Sequence, residues 1–232
     1  MSEAHPHHHE ERLDRKALKG PDEFVVWTTR IARWAQANQA TVWGVAGAVT
    51  LVLLGAGVYT WRTARQNDAA AAAFRTASET FTAGQYAGAA SGFETVAGDF
   101  PATAFGRLAL LYRGHSLSRE GKAADAALAY GEFLARSPDV DYLRQIGLTS
   151  QGRAYETSGD KQQAREAFAA AADIAGPYRV DALLAYGRLS EDAGDTTAAQ
   201  DAYRKVLEEN PDPETLALVQ RKLPKAVPPT DG

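Results

Sequence analysis

The 232-residue sequence contains no cysteine. That removes disulfides, thiolate metal sites and a cysteine nucleophile, and with them the acylated cysteine on which a bacterial lipoprotein depends. It leaves the compartment open, since reducing and oxidising spaces both accommodate cysteine-free chains. The β-branched runs of strands are scarce while alanine is abundant, and the ten prolines and twenty glycines fall mostly between helical stretches, so the expected class is all-α. A basic stripe is missing too. Residues 1–61 balance six Lys/Arg against six Asp/Glu, so the net charge of −4 falls on residues 62–232. Neutralising phosphates takes clustered Lys/Arg, and nucleic acid is therefore not an expected partner.

Catalytic motifs are absent as well: no HExxH, GxSxG or P-loop occurs. The stretch GHSLS at residues 114–118 ends in Ser where an esterase elbow requires Gly, and it lies inside a predicted helix. Residues 114–123 end near a Gly-Lys pair but place six residues between the glycines and Ala123 where Ser or Thr would hold magnesium. The chain reads as non-enzymatic, with no catalytic residue, no cofactor and no small-molecule substrate. His5, His7, His8 and His9 form a histidine-rich N-terminal run, able to bind Zn or Ni adventitiously but equally a polar tail or an expression tag. His115 has no second ligand near it in sequence and reads as a surface or groove residue, so no metal site is assigned.

One long apolar run is present. No residue from 34 to 61 is charged, and residues 42–59 read VWGVAGAVTLVLLGAGVY. A bilayer core of about 30 Å takes roughly 20 apolar residues as a helix, which predicts a transmembrane helix over residues 40–61. Trp43 near one end and Tyr59 and Trp61 at the other suit the two interfaces, and Arg62 and Arg65 stop the span. A cleaved signal peptide is the rival: the run is longer than an ordinary signal h-region and more than 40 residues precede it, although residues 69–73 imitate a cleavage site. Gly44, Gly47, Ala48, Gly55 and Gly57 would let a second helix approach, a feature also common in spans without one. Before the run, residues 21–39 predict an amphipathic helix. Phe24, Trp27, Ile31 and Trp34 share one face while Arg30 and Arg33 lie off it, which fits a helix in the headgroup region or an extension of the span. The N-terminal segment holds six Lys/Arg, favouring a cytoplasmic N-terminus. Residues 1–20 and 224–232 are expected to be disordered tails.

Residues 62–223 are organised by a period. Gly84, Gly121, Gly159 and Gly194 stand 37, 38 and 35 residues apart, each between two helical patterns. Five residues after each comes an alanine (Ala89, Ala126, Ala164, Ala199), and four further an aromatic ring (Phe93, Tyr130, Phe168, Tyr203). Seven residues before each is a small residue (Ala77, Gly114, Gly152, Gly187), and near each unit's end comes Pro101, Pro138, Pro177 or Pro211. The glycines are expected in tight turns between antiparallel helices, the small residues at close helix approaches, the rings in the gap toward the next unit, and the prolines at the ends of second helices. No unit can bury its apolar face alone, so four units stack, with residues 213–223 as a closing helix.

This pattern resembles the tetratricopeptide repeat, although the Trp and Tyr positions of the family's first helix are poorly kept and the spacings exceed its usual 34 residues. The resemblance implies a right-handed helical-repeat solenoid whose first helices form a concave protein-binding face. Its positions here are Phe74, Ser78, Phe81, Leu111, His115, Arg119, Thr149, Arg153, Glu156, Leu184, Arg188 and Glu191. The Lys/Asn clamp by which some members hold C-terminal carboxylates is missing, since Asn38, Asn67 and Asn210 are the only asparagines. The layout of a charged tail, one span and these repeats, with segments such as YLRQIGLTSQGRAYETSGDKQQAREAF and DALLAYGRLSEDAGDTTAAQDAYRKVLE, resembles the bacterial inner-membrane family of ancillary SecYEG translocon subunits. That resemblance implies a periplasmic repeat domain and contact with translocon subunits, periplasmic chaperones or other envelope proteins. Two other roles share the fold: a cell-division and outer-membrane coordinator like the periplasmic repeat proteins of the Tol system, and an accessory subunit organising a membrane enzyme complex.

Overall fold

The computed structural model describes residues 23–136 and 140–224. Residues 1–20, the histidine run, Pro21, Asp22, Pro138 and residues 225–232, on which several expectations fell, lie outside them. The described residues form ten α-helices and no strand: α1 (Glu23–Ala37), α2 (Gln39–Thr82), α3 (Tyr86–Asp99), α4 (Ala104–Glu120), α5 (Ala123–Arg136), α6 (Asp141–Ser158), α7 (Lys161–Ala172), α8 (Arg179–Asp192), α9 (Thr196–Glu208) and α10 (Pro213–Lys222). The chain divides between Trp61 and Arg62 into two units.

In the first unit, Leu51, Val52, Leu53 and Leu54 are all 62–71% exposed. Successive side chains of a helix point about 100° apart, so these four cover its whole circumference. Such a helix has no polar face to give to water and no single apolar face to give to a partner. Among the described residues, α2 is the one helix long and apolar enough to cross a membrane, and none of its apolar stretch is buried. Trp27, Ile31, Trp34, Trp43 and Trp61 are exposed as well. Between α1 and α2 only Asn38 leaves the helical assignment. Its N–H donates to Trp34 O at 2.9 Å, and Val42 N–H donates to Asn38 O at 3.0 Å, so the i→i−4 pattern passes through the junction. Residues 61 and 62, the expected border between span and repeats, lie within the 44-residue helix α2.

In the second unit each helix from α3 onward packs on its neighbours in sequence, as in a stack of hairpins. All four turn glycines are left-handed, with φ of 76°, 88°, 93° and 79°. At Gly121 the glycine N–H donates to Ser118 O and Lys122 N–H to Leu117 O, and the same two bonds recur at Gly84, Gly159 and Gly194. These are Schellman caps, which only a residue tolerant of positive φ completes without strain. Asp160 and Asp195 then cap the next helices, accepting from Gln163 N–H at 3.1 Å and Ala198 N–H at 3.0 Å.

The small residues and the rings prove to be one device. A Cβ at Gly114 would lie 2.5 Å from the Tyr130 ring, at Gly152 3.0 Å from Phe168 and at Gly187 2.7 Å from Tyr203. Each of these three rings thus fills the space left by the glycine of its own hairpin, a correction to its expected place toward the next unit. Contact between units uses a different position, 12 residues before the turn glycine. There Ala109, Gly147 and Ala182 are all buried, and a Cβ at Gly147 would meet Leu134 and Phe133 of the preceding hairpin at 2.8 and 2.9 Å.

Pro177 also corrects the expectation, because α7 ends at Ala172, well before it. Gln145 and Arg179 supply donors to carbonyls at the end of α7 and just beyond it: Gln145 Nε2 to Ala171 O (3.3 Å) and to Ile174 O (2.8 Å) past the helix, and Arg179 Nε to Ala172 O (3.0 Å). The last helix, α10, opens on the Asp212 cap with Pro in its first turn and buries Val219.

Candidate functional site

The twelve expected groove positions separate into three groups. Phe74 and Phe81 belong to a ring cluster: Phe74 lies 5.2 Å from both Phe93 and Tyr112, and Phe81 lies 5.4 Å from Tyr86. Ser78 Oγ donates back to Phe74 O at 2.8 Å. The second group lies on α4 and α6. Leu111 and Thr149 are buried, His115 is half-buried and Arg119 and Arg153 are exposed. The third group, Glu156, Leu184, Arg188 and Glu191, lies on α6 and α8 and is joined by α10.

Between α4 and α6 is a cavity of about 400 Å³, whose apolar lining includes Leu108, Leu111, Tyr112, Leu143 and Ile146. His115, Ser150 and Arg153 line it and also an adjoining cavity of about 250 Å³ that reaches Ser118, Tyr130 and Thr157. A third cavity, of about 390 Å³, has Phe168, Leu184, Ala185 and Leu218 among its lining, with Arg153, Arg188 and Lys222 also bordering it. Arg153 therefore borders all three, and the face from α4 to α10 is one chain of depressions.

Most of the charge on this face is internally paired. Arg188 forms a fork with Glu156, Nη1 to Oε1 at 2.7 Å and Nη2 to Oε2 at 2.9 Å, which holds the guanidinium charged even more firmly than usual. Glu191 takes Lys222 Nζ at 2.7 Å and the Tyr203 hydroxyl at 3.1 Å. Burial, then the hydrogen bond to Glu191, pushes Tyr203 up to about 12. Arg153 meets Asp181 at 3.6 Å, a loose pair with both side chains exposed. Arg119 has no ion-pair partner among the described residues. His115 Nδ1 sits 2.8 Å from the Tyr130 hydroxyl, between the rings of Tyr112 and Tyr130. Burial, helped by the charge of Arg119, lowers its pKa and keeps it neutral. Among the described residues no three His, Asp or Glu side chains come together as metal ligands would.

Sequence reasoning missed Tyr112, Tyr130, Asp181 and Lys222 as members of this face, and Gln145 behind it. Opposite charges one repeat apart were the available signal: Glu156 and Arg188 are 32 residues apart, Glu191 and Lys222 31. Gln145 carried none. It is fully buried, bonded to α7 as described, and its Oε1 accepts from Tyr178 N–H at 3.2 Å.

A family model for a tetratricopeptide repeat-like domain matches residues 32–149, and two models for single tetratricopeptide repeats match residues 148–177 and 181–213. No curated protein matches the chain. Among solved structures, a tetratricopeptide repeat protein from Parabacteroides merdae superposes with a TM-score of 0.57 at 18% identity, over 66% of this chain and 58% of that one. The chain thus spans a little over half the length of that relative. The MamA protein superposes with a TM-score of 0.53 at 20% identity, over 66% of this chain and 81% of its own. At these identities the likeness is one of fold.

Proposed function

The chain belongs to the tetratricopeptide repeat-like domain family, and from that premise we propose that it is a membrane-tethered scaffold that binds other polypeptides along the first-helix face of its repeats. Repeats of this family generally bind proteins and are typically non-enzymatic. The observation that carries the binding role is the chain of three cavities from α4 to α10, with apolar linings and charged rims that suit an extended peptide or a partner helix. The tether rests on the fully exposed, all-round apolar stretch of α2.

The finer assignment rests on the sequence resemblance to ancillary SecYEG subunits: a bacterial inner-membrane protein with cytoplasmic N-terminus and periplasmic repeats, serving the Sec translocon and periplasmic chaperone traffic. Photo-crosslinking from Arg153 and Arg188 in native membranes, read by mass spectrometry, tests it. Capture of translocon or chaperone subunits is the expected result, and their absence from the products removes the Sec assignment. Extraction of membranes at alkaline pH tests the tether, and release of the chain into the supernatant refutes it. Protease protection in spheroplasts decides sidedness.

A further inference from the structure

We infer that the smaller cavity between α4, α5 and α6 receives a carboxylate side chain of a bound polypeptide whose apolar anchor, about three residues away, fills the adjoining cavity. The inference rests on the scaffold reading of the same face and adds the chemistry of the partner segment. The smaller cavity is lined by His115, Ser118, Tyr130, Ser150, Arg153 and Thr157 together with two alanines. Four hydroxyls, an imidazole and a guanidinium converge there, and no Asp or Glu is among the described residues lining either cavity. The groups facing His115 are Tyr112 and Arg119 on α4, Tyr130 on α5 and Arg153 on α6, again without a carboxylate. Elsewhere on this face the cations are already matched, Arg188 by Glu156 and Lys222 by Glu191. In a segment of net charge −4, donors gather around His115 without a carboxylate lining the cavity, even though Thr157 Oγ already donates to Arg153 O at 2.8 Å and the Tyr130 hydroxyl is held by His115 at 2.8 Å.

Occupancy by an anion costs little here. The acid paired with Arg153 is Asp181, 3.6 Å away with both side chains mostly exposed, and such pairs contribute little stability, while Glu156, which borders the third cavity beside Arg153, is held by Arg188. The two cavities share His115, Ser150 and Arg153 and extend along α4 and α6 from Leu108 and Ile146 to His115 and Arg153. Each of those steps is one of seven helical residues, about 10 Å at 1.5 Å per residue. An extended chain covers about 10 Å in about three residues at 3.3 Å each, which fixes the spacing of anchor and acid. A carboxylate beside His115 would favour the imidazolium, so binding takes up a proton and tightens as pH falls toward the imidazole's own range.

The test uses the full chain in detergent micelles and blocked, fluorescent peptides in a Gly/Ser frame, containing Leu-Ser-Ser-Glu, Leu-Ser-Ser-Gln or Ala-Ser-Ser-Glu, each in both orders. Anisotropy gives affinity, and the imidazole C–H resonance of His115 reports its protonation. The Glu peptide with its Leu anchor is expected to bind about tenfold more tightly than the Gln peptide, the worth of one charge-assisted hydrogen bond. That preference should grow between about pH 7.5 and about pH 5.5 and become flat in His115→Gln. Ser118→Ala, at an exposed position, should weaken the Glu peptide and leave the Gln peptide unchanged. Equal binding of Glu and Gln peptides overturns the carboxylate site while leaving the scaffold reading intact. Sodium acetate shifting the His115 resonance as strongly as the peptide overturns the commitment to a polypeptide. Failure of every peptide overturns the inference outright, and the crosslinking experiment then judges the scaffold by itself.

Discussion

Replacing Gly114 by alanine sets two known effects against each other. Alanine in a helix is favoured over glycine by about 1 kcal/mol. At Gly114, however, the new methyl would lie 2.5, 2.6 and 2.9 Å from three atoms of the Tyr130 ring. That ring is 2% exposed, and its hydroxyl is held 2.8 Å from His115, so it has little room to yield. Overpacking of a buried site costs about 1–3 kcal/mol, and three contacts this short against a ring that cannot yield put Gly114→Ala in the upper half of that range, so it should lose about 1–2 kcal/mol net. For a domain of this size that lowers Tm by about 2–8 °C. Gly187→Ala should lose less, since its closest ring contact is 2.7 Å, and Gly152→Ala, with ring contacts at 3.0 Å, should be nearly neutral. Gly98→Ala on α3 meets nothing within 4 Å and should stabilise slightly. Circular dichroism melts of the full chain in detergent give the ranking. Hydrogen exchange in α4 and α5 localises it, which matters because stacked repeats can open one at a time. In a Tyr130→Leu background the Gly114→Ala penalty should shrink. A Gly114→Ala chain as stable as the native one, or a larger loss at Gly152 than at Gly114, would refute the ring-on-glycine argument.

Gln145→Ala strands Tyr178 N–H, removes the side-chain donor from Ile174 O and leaves Ala171 O only its backbone donors, so a loss of about 2–4 kcal/mol is expected. Hydrogen exchange should place that opening at the α7–α8 connection rather than at α4. Tyr203 has a folded pKa pushed up to about 12 against an ordinary value near 10, so its contribution is complete below pH 10 and fades as pH rises through the folded value. Tyr203→Phe should cost about 0.5–1.5 kcal/mol and flatten the alkaline limb of stability measured by urea titration. Leu53→Lys puts a charge at the centre of the apolar stretch and should disfavour insertion by about 2.5–3.5 kcal/mol, seen as chain released at alkaline pH.

The elements were readable where one residue type alone satisfies a local demand. A left-handed turn between two helices calls for glycine, and Gly84, Gly121, Gly159 and Gly194 announce the four hairpins by their spacing alone. The paired small residue and ring were readable as a pattern, but their partnership was not. Whether Tyr130 leans on Gly114 or outward depends on the rotation of α5 about its axis, which spacing does not encode. Gly106 was silent altogether. A Cβ there would lie 1.9 Å from Phe100 O, a clash created by the irregular turn before α4 rather than by any helical period. At the face itself, the family register reached α4, α6 and α8, and it placed Phe74 and Phe81 there without showing that both are half-buried against other rings. The partial burial of Phe74 follows from the crowd of Phe93, Phe105 and Tyr112 around it, a property of three helices together.

The pairing of charges along the face bears on how tightly a scaffold of this kind can hold its partners. Had Arg153, Glu156, Arg188 and Glu191 been unmatched, each could have contributed a strong charge-assisted bond to a ligand. Instead a ligand must displace Glu156 from Arg188, or Glu191 from Lys222, before it gains a bond of similar strength, so the net return at those positions is small. The partly buried fork fixes α6 against α8 and the lysine fixes α10 against α8, which keeps the cavities open without a ligand. What remains for binding is apolar area and the donors near His115, a combination that gives weak individual affinity. Weak contact suffices when scaffold and partner share one membrane, because a tether raises the effective concentration into a range where modest affinities are filled. On the proposed reading the apolar stretch of α2 and the self-paired face are therefore complementary. Removing residues 39–61 should abolish partner capture at cellular concentrations while leaving peptide binding by the repeats unchanged, and loss of both together would show that the apolar stretch does something other than tether.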